Sequence, residues 1–440
     1  MTPHFPRAAL RLLPFLALVA LLTINFKLNA FGIAEDATFE RWQLNGQARL
    51  LGGIYADVAG LDKGGAHMGK IWPLDGPPPD WADESTSDQT YALYAGLPHQ
   101  TPVHFEQYRA QYGAHQVVYS WLARHLGMRE VSALQFVPSI LTALVLAWLA
   151  AKYRRHYGWP FATVFLLSLA CAPLFLTMAK NLYWSPFLLL LPALMAAFAY
   201  EANDRRLKAM FLALLGGAML LKCLSNYEYI TSVTVLAASI FLVGPLFKDP
   251  ERGQPQYGWA AAVFAVCIAA FAVAFLVHAG SRGDTLAEGV RTIYVEDIAR
   301  RTYGDAGAFG GETGDSLRAS PMDVLKIYLL DYPGKRTMIL PGKAFLAMIA
   351  FCILGLVLRL ALRRPNARRD AATLVVFLAV PVSWFVLAKG HSYTQTHINF
   401  VLWFIGFMPA LLFVTGSTAK QAILELLGQL SRGSSGAPKA

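Results

Sequence analysis

Two adjacent carboxylates, Glu35 and Asp36, follow the first apolar block of the chain. A carboxylate pair at a membrane surface has the chemistry of a general base or of a metal ligand. The same pair is also typical of the N-cap and first turn of a helix, where acidic side chains interact favourably with the helix dipole. We therefore take Asp36 and Glu35 as candidate catalytic residues, with helix capping as the structural alternative.

A second polar group occupies a tight turn between two apolar blocks and comprises Lys222, Tyr227, Glu228 and Tyr229. A Lys or Glu at membrane depth costs roughly 2.5–3.5 kcal/mol at the centre of a spanning helix and less near the interface, so such residues are usually paired or functional. The alternative is that Lys222 snorkels and that the tyrosines are ordinary interfacial anchors. The group is a candidate substrate-binding site.

A third group precedes the last apolar block and comprises His391, Tyr393, Gln395, His397 and Asn399. In a helix, His391, Gln395 and Asn399 would share one face, and Tyr393 and His397 another. So many hydrogen-bonding side chains against a bilayer favour a binding role. Two histidines six residues apart do not define a metal site.

Two further groups place a cation beside other polar or aromatic side chains: Arg109, Gln111, His115 and Gln116 in one, and Lys180, Asn181, Tyr183 and Trp184 in the other. Either cation could meet a phosphate. Snorkelling residues at the membrane interface are the alternative.

The elements that must position these groups are membrane-spanning helices. The chain has 440 residues, of which 55% are hydrophobic and 15% charged, whereas soluble domains carry roughly 25% charged residues. About 20 apolar residues in a helix cross the hydrocarbon core, and a lipid-exposed backbone must satisfy its own hydrogen bonds. The apolar blocks predict ten spans, near 12–26, 131–151, 160–179, 185–201, 208–223, 229–247, 258–279, 343–362, 371–388 and 396–416.

The distribution of basic residues predicts the orientation of these spans. Basic short connections alternate with the others, and by the positive-inside rule they are cytoplasmic, as are both termini; the connections are 152–155, 205–208, 248–252 and 359–369. This topology explains the formal charge of +10 without a nucleic-acid partner. It also places every candidate group on the non-cytoplasmic face, together with two long loops at about 30–130 and 280–342. Residues 1–430 then form one transmembrane domain, and 431–440 a disordered cytoplasmic tail.

Several segments occur in the order found in one enzyme class. An acidic pair with a small residue and an aromatic follows the first span, in Glu35-Asp36-Ala37-Thr38-Phe39, and continues to Leu50-Leu51-Gly52-Gly53. Three later segments also match in order: 134–141, 172–181 and 220–222. This arrangement resembles the GT-C glycosyltransferases, most closely the polytopic mannosyl- and aminoarabinose-transferase branch. The likeness covers roughly the first 240 residues. The acidic order is Glu-Asp here and Asp-Glu in that branch, and Gln135 or Phe136 stands where Arg is usual.

The resemblance implies an all-α GT-C-like membrane enzyme whose long first extracytoplasmic loop carries juxtamembrane helices. It implies transfer of a sugar from a polyprenyl-phosphate carrier to a glycan, lipid or protein acceptor of the bacterial cell envelope, on the periplasmic face of the inner membrane. Asp36 or Glu35 would be the general base, and Lys222, Lys180 or Arg109 would stabilise the leaving phosphate. Some GT-C enzymes use a divalent metal such as Mg²⁺ or Mn²⁺, and others use none.

Three other functions fit the same composition. A structural or assembly subunit of a cell-envelope complex would not depend on any single carboxylate. A flippase or transporter of lipid-linked saccharides would place charged residues near the middle of spans, whereas here the polar residues gather at one edge. A polymerase or ligase of lipid-linked saccharides is chemically close to the transferase. The clusters at 227–229 and 391–399 are not general features of the GT-C branch and indicate a bacterial subgroup.

Overall fold

The computed structural model describes residues 7–78, 84–97, 102–330 and 342–434. It is 76% helical, and seven helices are long and apolar enough to cross a membrane, so the chain is a multi-pass membrane protein. These helices are Val131–Ala170, Arg205–Ser225, Ile230–Lys248, Tyr257–Ala279, Ala344–Ala361, Ala367–Leu387 and Thr396–Leu430. The predicted spans near 12–26 and 185–201 correspond to the shorter apolar helices Leu12–Leu28 and Phe187–Glu201. A total of ten spans stays a prediction.

The helices and strands up to the fourth membrane-crossing candidate are α1 Arg7–Leu28, α2 Asp36–Arg41, α3 Leu44–Ala59, β1 Met68–Pro73, α4 Glu84–Ala95, β2 Val103–Tyr108, α5 His115–His125, α6 Val131–Ala170, α7 Pro173–Lys180, α8 Phe187–Glu201, α9 Arg205–Ser225, α10 Ile230–Lys248 and α11 Tyr257–Ala279. The remainder are α12 Leu286–Ile293, a π-helical turn Tyr294–Ala299, a 3₁₀ turn Ala306–Ala308, α13 Gly311–Arg318, α14 Pro321–Leu329, α15 Gly342–Ala361, α16 Ala367–Leu387, α17 Lys389–Thr394, α18 Thr396–Asn399, a π-helical turn Trp403–Phe407 and α19 Met408–Ser434.

Packing of the long helices builds one bundle. Helix α10 packs on α8, α11 and α16, α9 packs on α8 and α11, and α1 packs on α6. The interior is apolar and rich in aromatic residues, with Phe161 and Phe165 fully buried in α6. Because α10 and α16 each run from one end of the bundle to the other, they connect the two ends that are compared below.

The predicted span near 160–179 is not one helix. Gly158 has φ 81° and ψ 170°, which only glycine adopts without strain, and it breaks α6 before Pro160. The helix ends at Ala170, and α7 begins at Pro173 after the extended residue Ala172. Proline has no N–H for the preceding turn, so it begins a new helix there. The predicted span is therefore two short helices, and all of α7 is buried.

The first long loop carries the predicted surface helices, α2 to α5, but it also contains a feature that the all-α prediction missed. Strands β1 and β2 pair antiparallel, with Lys70 opposite Glu106. Helix α3 lies against β1 so closely that a Cβ on Gly52 would be 2.2 Å from the carbonyl oxygen of Gly69. The helix continues past Gly52 and Gly53 to Ala59, so these glycines provide a close approach and do not end it.

The second long loop folds into α12, the π-helical turn, the 3₁₀ turn, α13 and α14. Two contacts hold it against the start of the final segment. Lys389 Nζ donates hydrogen bonds to the carbonyl oxygens of Leu317 and Ala319, the latter at 2.7 Å. Tyr328 donates one from its hydroxyl to the carbonyl of Ser392 at 2.9 Å. Residues 331–341 of this loop, 79–83 and 98–101 of the first loop and 435–440 of the predicted tail lie outside the described residues. Helix α19 extends to Ser434.

Candidate functional site

A polar cavity of about 550 Å³ lies where the two long loops meet the ends of the helices. We call it the arginine cavity. Its wall comes from seven separate parts of the chain: Arg41, Gln43, Leu44, Asn45, Gly46 and Arg49; Ser87; Tyr108; Tyr183 and Trp184; Glu228; Arg300, Arg301, Glu312, Thr313 and Ser316; and Gly390, His391, Thr394, Gln395 and Ile398.

Four arginines give the cavity its charge. Arg41 is paired with Asp88 at 3.2 Å, with both side chains more than half exposed. The Arg49 guanidinium lies 4.2 Å from the centre of the Tyr108 ring. Two carboxylates line the same wall, so the cations exceed the anions by two. An arginine guanidinium binds carboxylates and phosphates through paired hydrogen bonds, so the cavity is suited to an anionic ligand.

Glu228 is the carboxylate best placed for chemistry. Its side chain is 6% exposed, and Oε1 lies 3.5 Å from Arg301 Nη1. Gln111 donates a hydrogen bond from Nε2 to the same oxygen at 3.0 Å and accepts one from the Tyr227 backbone N–H at 3.0 Å. Oε2 has no hydrogen-bond partner within the described ranges. A buried acceptor in that state is energetically costly, and this one lies at a ligand-sized cavity.

The backbone beside the cavity is strained at three places. Gln43, Ser185 and Tyr229 have φ values of 53°, 40° and 68°, and non-glycine residues in this region cost of order 1–3 kcal/mol each. Tyr229 is held by stacking on Trp184, with ring centres 6.0 Å apart, and by an edge contact with Trp384. Packing therefore fixes the turn that presents Glu228.

Arg300 and Arg301 lie in the second long loop, next to a cluster of ion pairs. Arg282 pairs with Glu296 at 2.7 Å and with Asp297 at 3.2 Å, and Arg301 lies 3.8 Å from Asp297. Burial raises the pKa of Asp297, outweighing the nearby arginines. Gly390 packs on this segment so closely that a Cβ would be 3.0 Å from the Arg300 carbonyl oxygen. Glycine at 390 thus permits the arginine pair to sit against α17.

His391 lines the cavity as a neutral side chain. Burial, together with Arg301 and Arg300, lowers the pKa of His391 to about 3. Asn399 donates a hydrogen bond from Nδ2 to His391 Nδ1 at 3.2 Å. At neutral pH the imidazole is therefore a hydrogen-bonding group and not a cation. The predicted continuous helical face is interrupted, because the backbone leaves the helical conformation at Gln395 (φ −106°, ψ 45°).

Five residues singled out from the sequence line the cavity: Tyr183, Trp184, Glu228, His391 and Gln395. Other predicted residues contact the wall without lining it. His397 Nε2 lies 3.3 Å from Nε2 of the lining residue Gln43, and Gln111 holds Glu228. The other predicted site residues are not in the wall: Glu35, Asp36, Arg109, His115, Gln116, Lys180, Asn181, Lys222, Tyr227, Tyr229, Tyr393 and Asn399.

The acidic pair lies outside the cavity. Glu35 and Asp36 are both exposed. Glu35 is the N-cap residue of α2 without a capping hydrogen bond from its side chain, and Asp36 is the first helical residue. Asn29 Nδ2 lies 3.4 Å from Asp36 Oδ1. These positions agree with the structural alternative of an acidic first turn, and their catalytic role stays a prediction.

Two of the predicted cations have partners that stabilise the fold. Lys222 is fully buried and donates a hydrogen bond to the Asn226 carbonyl oxygen at 2.7 Å. Lys180 pairs with Glu40 at 3.0 Å and lies over the Phe39 ring.

The other residues of the group at 109–116 also do not line the cavity. Gln116 donates a hydrogen bond to Asp57 at 2.8 Å. His115 packs edge-on against Tyr183, and burial lowers the pKa of His115 to about 3. Arg109 is exposed, and its backbone carbonyl oxygen lies 2.9 Å from His278 Nε2.

Sequence reasoning missed the arginines and Gln43. Arg300 and Arg301 lie in a long loop, where basic residues carry no topological information, so the positive-inside rule passed over them. The acidic pair Glu296–Asp297 lies one helical turn before the two arginines. This spacing predicts a cluster of ion pairs and could have identified the segment. Arg41 is the last residue of α2 and Arg49 lies within α3, and the sequence presents both helices only as amphipathic surface elements.

The donor set does not fit a bound metal. Over the parts of the chain that the structure describes, no group of three or more His, Cys, Asp or Glu side chains could hold a metal ion. The cavity combines arginines with two separate glutamates and a neutral histidine. We therefore assign no step to a metal.

No family model, no curated protein and no solved structure matches this chain.

Proposed function

We propose that this chain is a membrane glycosyltransferase that moves a sugar from a polyprenyl-phosphate carrier to a cell-envelope acceptor, and that the arginine cavity is its active site. One observation carries the proposal: arginines from both long loops meet Glu228 in a polar cavity at the ends of α9 and α10. A donor with a phosphate and a sugar on a lipid tail requires these groups at the end of a helix bundle. The resemblance to GT-C enzymes points to the same reaction.

The arginines serve the leaving group. As the sugar departs, negative charge grows on the phosphate oxygens of the polyprenyl carrier. Preorganised cations in a site shielded from water stabilise such charge more strongly than solvent does. Arg300 and Arg301 are adjacent on one segment, and Arg49 of the first loop lines the same cavity.

Glu228 is the base that the geometry favours. Its Oε2 accepts the proton of an acceptor hydroxyl, the acceptor oxygen forms a bond to the anomeric carbon, and the bond from that carbon to the phosphate oxygen breaks. The electron pair leaves on the phosphate. Base assistance of this kind contributes about 10²–10⁴-fold. Asp36 and Glu35 remain the rival candidates.

The remaining wall binds neutral groups. Trp184 and Tyr183 offer aromatic faces to a sugar ring, and neutral His391 and Gln395 offer hydrogen bonds to hydroxyls. With cytoplasmic termini, as the basic short connections favour, this cavity opens to the periplasm of a bacterial inner membrane. The acceptor is then a glycan, lipid or protein of the envelope.

Transfer of radiolabelled sugar from polyprenyl-phosphate donors in proteoliposomes tests the proposal. We expect Glu228→Gln to lower the rate by about 10²–10⁴-fold, because the amide cannot accept the proton. The matched controls are Asp36→Asn and Glu35→Gln. We expect both to retain transfer, because neither residue lines the cavity. Each variant is compared at equal amounts of inserted protein with an unchanged thermal unfolding midpoint.

The pattern of losses decides between the bases and between the functions. Loss of transfer with Asp36→Asn or Glu35→Gln and not with Glu228→Gln would return the base to the acidic pair. Movement of the labelled lipid across the bilayer without transfer, insensitive to all three variants, would contradict the transferase and favour a flippase.

A further inference from the structure

A second large pocket lies at the opposite end of the bundle. Its volume is about 900 Å³. We call it the Arg359 pocket, after the buried arginine in its wall. Tyr229 next to the arginine cavity precedes α10, whereas Phe247 at the other end of α10 lines this pocket. A 19-residue helix is about 28 Å long, so the two pockets are separated by roughly the hydrocarbon thickness of a bilayer.

The Arg359 pocket has an excess of positive charge. Arg359 and Arg369 share one carboxylate, Asp370, each at 2.7 Å. Arg364 pairs with Glu425 at 3.1 Å, and Lys420 adds a further cation to the wall. The cations thus exceed the carboxylates by two, and the surplus is concentrated where α15, α16 and α19 meet.

Arg359 retains an unused donor. Its side chain is 6% exposed. Nη1 donates to Thr418 Oγ1 at 3.2 Å, and Nη2 donates to the Pro365 carbonyl oxygen at 3.4 Å. Nε is buried and has no hydrogen-bond partner among the residues described. Buried polar groups in native proteins are nearly always hydrogen-bonded, so a buried guanidinium N–H at a pocket indicates an acceptor that binds there.

Apolar side chains form a second part of the wall. Phe247, Phe413 and Leu424 face the same pocket, and the Leu424 side chain is 58% exposed. A soluble anion would contact the cations of this wall but not its apolar side chains. A lipid contacts both, because its phosphate meets the cations while its acyl chain covers the apolar side chains.

We propose that the Arg359 pocket binds the phosphate of an anionic membrane phospholipid, with the acyl chain against Phe247, Phe413 and Leu424. The site rests on its own residues and does not depend on the proposed glycosyltransferase. It lies on the face that the basic connections 152–155, 205–208 and 359–369 share. Anionic headgroups are typically bound by basic pockets between spanning helices on that side.

Native mass spectrometry of the full-length protein, delipidated in detergent, tests this site. The probes are phosphatidylglycerol, phosphatidylcholine and inorganic phosphate. We expect saturable binding of one phosphatidylglycerol and weaker binding of phosphatidylcholine. The double variant Arg364→Gln/Lys420→Gln should weaken phosphatidylglycerol binding about thirtyfold, since each cation near the membrane surface contributes roughly a factor of five. Arg206→Gln, an exposed basic residue on the same face, is the matched control and should bind as wild type.

Three outcomes overturn the proposal. Equal affinity for the two phospholipids would show that the pocket does not select the anionic headgroup. Equal loss in Arg206→Gln and in the double variant would show a diffuse surface charge. Displacement of the lipid by millimolar inorganic phosphate would identify a soluble-phosphate site in place of a lipid site.

Discussion

The arginine cavity and the Arg359 pocket are each lined by four cations, but their carboxylates are bonded differently. In the Arg359 pocket both oxygens of Asp370 are engaged: Oδ1 by Arg369, and Oδ2 by Arg359 and by the Ser417 hydroxyl at 2.8 Å. In the arginine cavity only Oε1 of Glu228 is engaged, and Oε2 has no partner inside the described ranges.

The origin of the cations differs as well. Arg359 and Arg369 belong to helices of the bundle, whereas Arg41, Arg49, Arg300 and Arg301 come from the two long loops. Loops positioned by a rigid scaffold are the usual carriers of binding and catalytic residues. The comparison therefore separates a fixed ion pair, which holds helices together, from a buried carboxylate with one oxygen that has no partner among the described residues. The variants below are chosen to break or sharpen that distinction.

The largest effect is expected from removing the shared carboxylate. Asp370→Asn leaves two guanidinium groups uncompensated, one of them deeply buried, and should lower the free energy of unfolding by about 3–5 kcal/mol. The thermal unfolding midpoint in detergent measures this. Glu425→Gln removes a half-exposed partner of Arg364 and should cost less than about 1 kcal/mol. Equal midpoints for the two variants would contradict a fixed role for Asp370.

Arg301→Gln should slow transfer. A hydrogen bond to a charged group is worth about 1.5–3 kcal/mol, which corresponds to roughly a 10- to 150-fold loss of rate. Sugar transfer in proteoliposomes measures it. Arg318→Gln changes an exposed arginine of the same loop and should leave the rate unchanged. A loss of rate in both variants would indicate a general effect of loop charge.

His391 should make stability depend on pH. Its folded pKa of about 3 lies below the unfolded value of about 6.5, so the unfolded state binds the proton more readily. Stability is therefore lost as the pH falls below 6.5, by about 2 kcal/mol between pH 7.5 and pH 5.0. His391→Asn should remove that part of the acid loss seen in unfolding midpoints. An unchanged pH profile would mean that His391 is solvated and titrates normally.

Gly390→Ala should have the smallest effect. The added methyl group would press on the Arg300 and Arg301 backbone, and the expected loss of transfer is below the roughly 10²-fold that a 1 Å misplacement can cause. Gly217→Ala in α9 meets nothing within 4 Å and is the control. Transfer unchanged in Gly390→Ala would show that the arginine pair tolerates displacement.

The sequence predicted what depends on local hydrophobicity. Seven of the spans are helices of sufficient length, because an apolar block of bilayer length specifies a helix by itself. At Gly158 and Pro173 the sequence shows only a glycine and a proline inside an apolar run, and it does not show that a helix ends there. The β1–β2 pair could not be predicted, since it joins segments 35 residues apart and depends on the close approach of α3 at Gly52.

The candidate site was predicted in part for a similar reason. Glu228 and His391 are polar residues beside apolar blocks, so local density identified them. A cation can stabilise the fold or face a ligand. Which of the two it does depends on its partners in the folded protein, and the sequence does not show them. Lys222 donates a hydrogen bond to Asn226, four residues along the chain. Arg301 lines the cavity and belongs to an ion-pair cluster with Arg282 and Asp297.

The most direct test of the central claim is a cryo-electron microscopy structure in lipid nanodiscs with a non-transferable polyprenyl-phosphate sugar and a bound antibody fragment. The account predicts the phosphate against Arg300 and Arg301, and the anomeric carbon facing Glu228 Oε2 with room for an acceptor oxygen between them. A donor bound beside Glu35 and Asp36, with the arginine cavity unaltered, would contradict it.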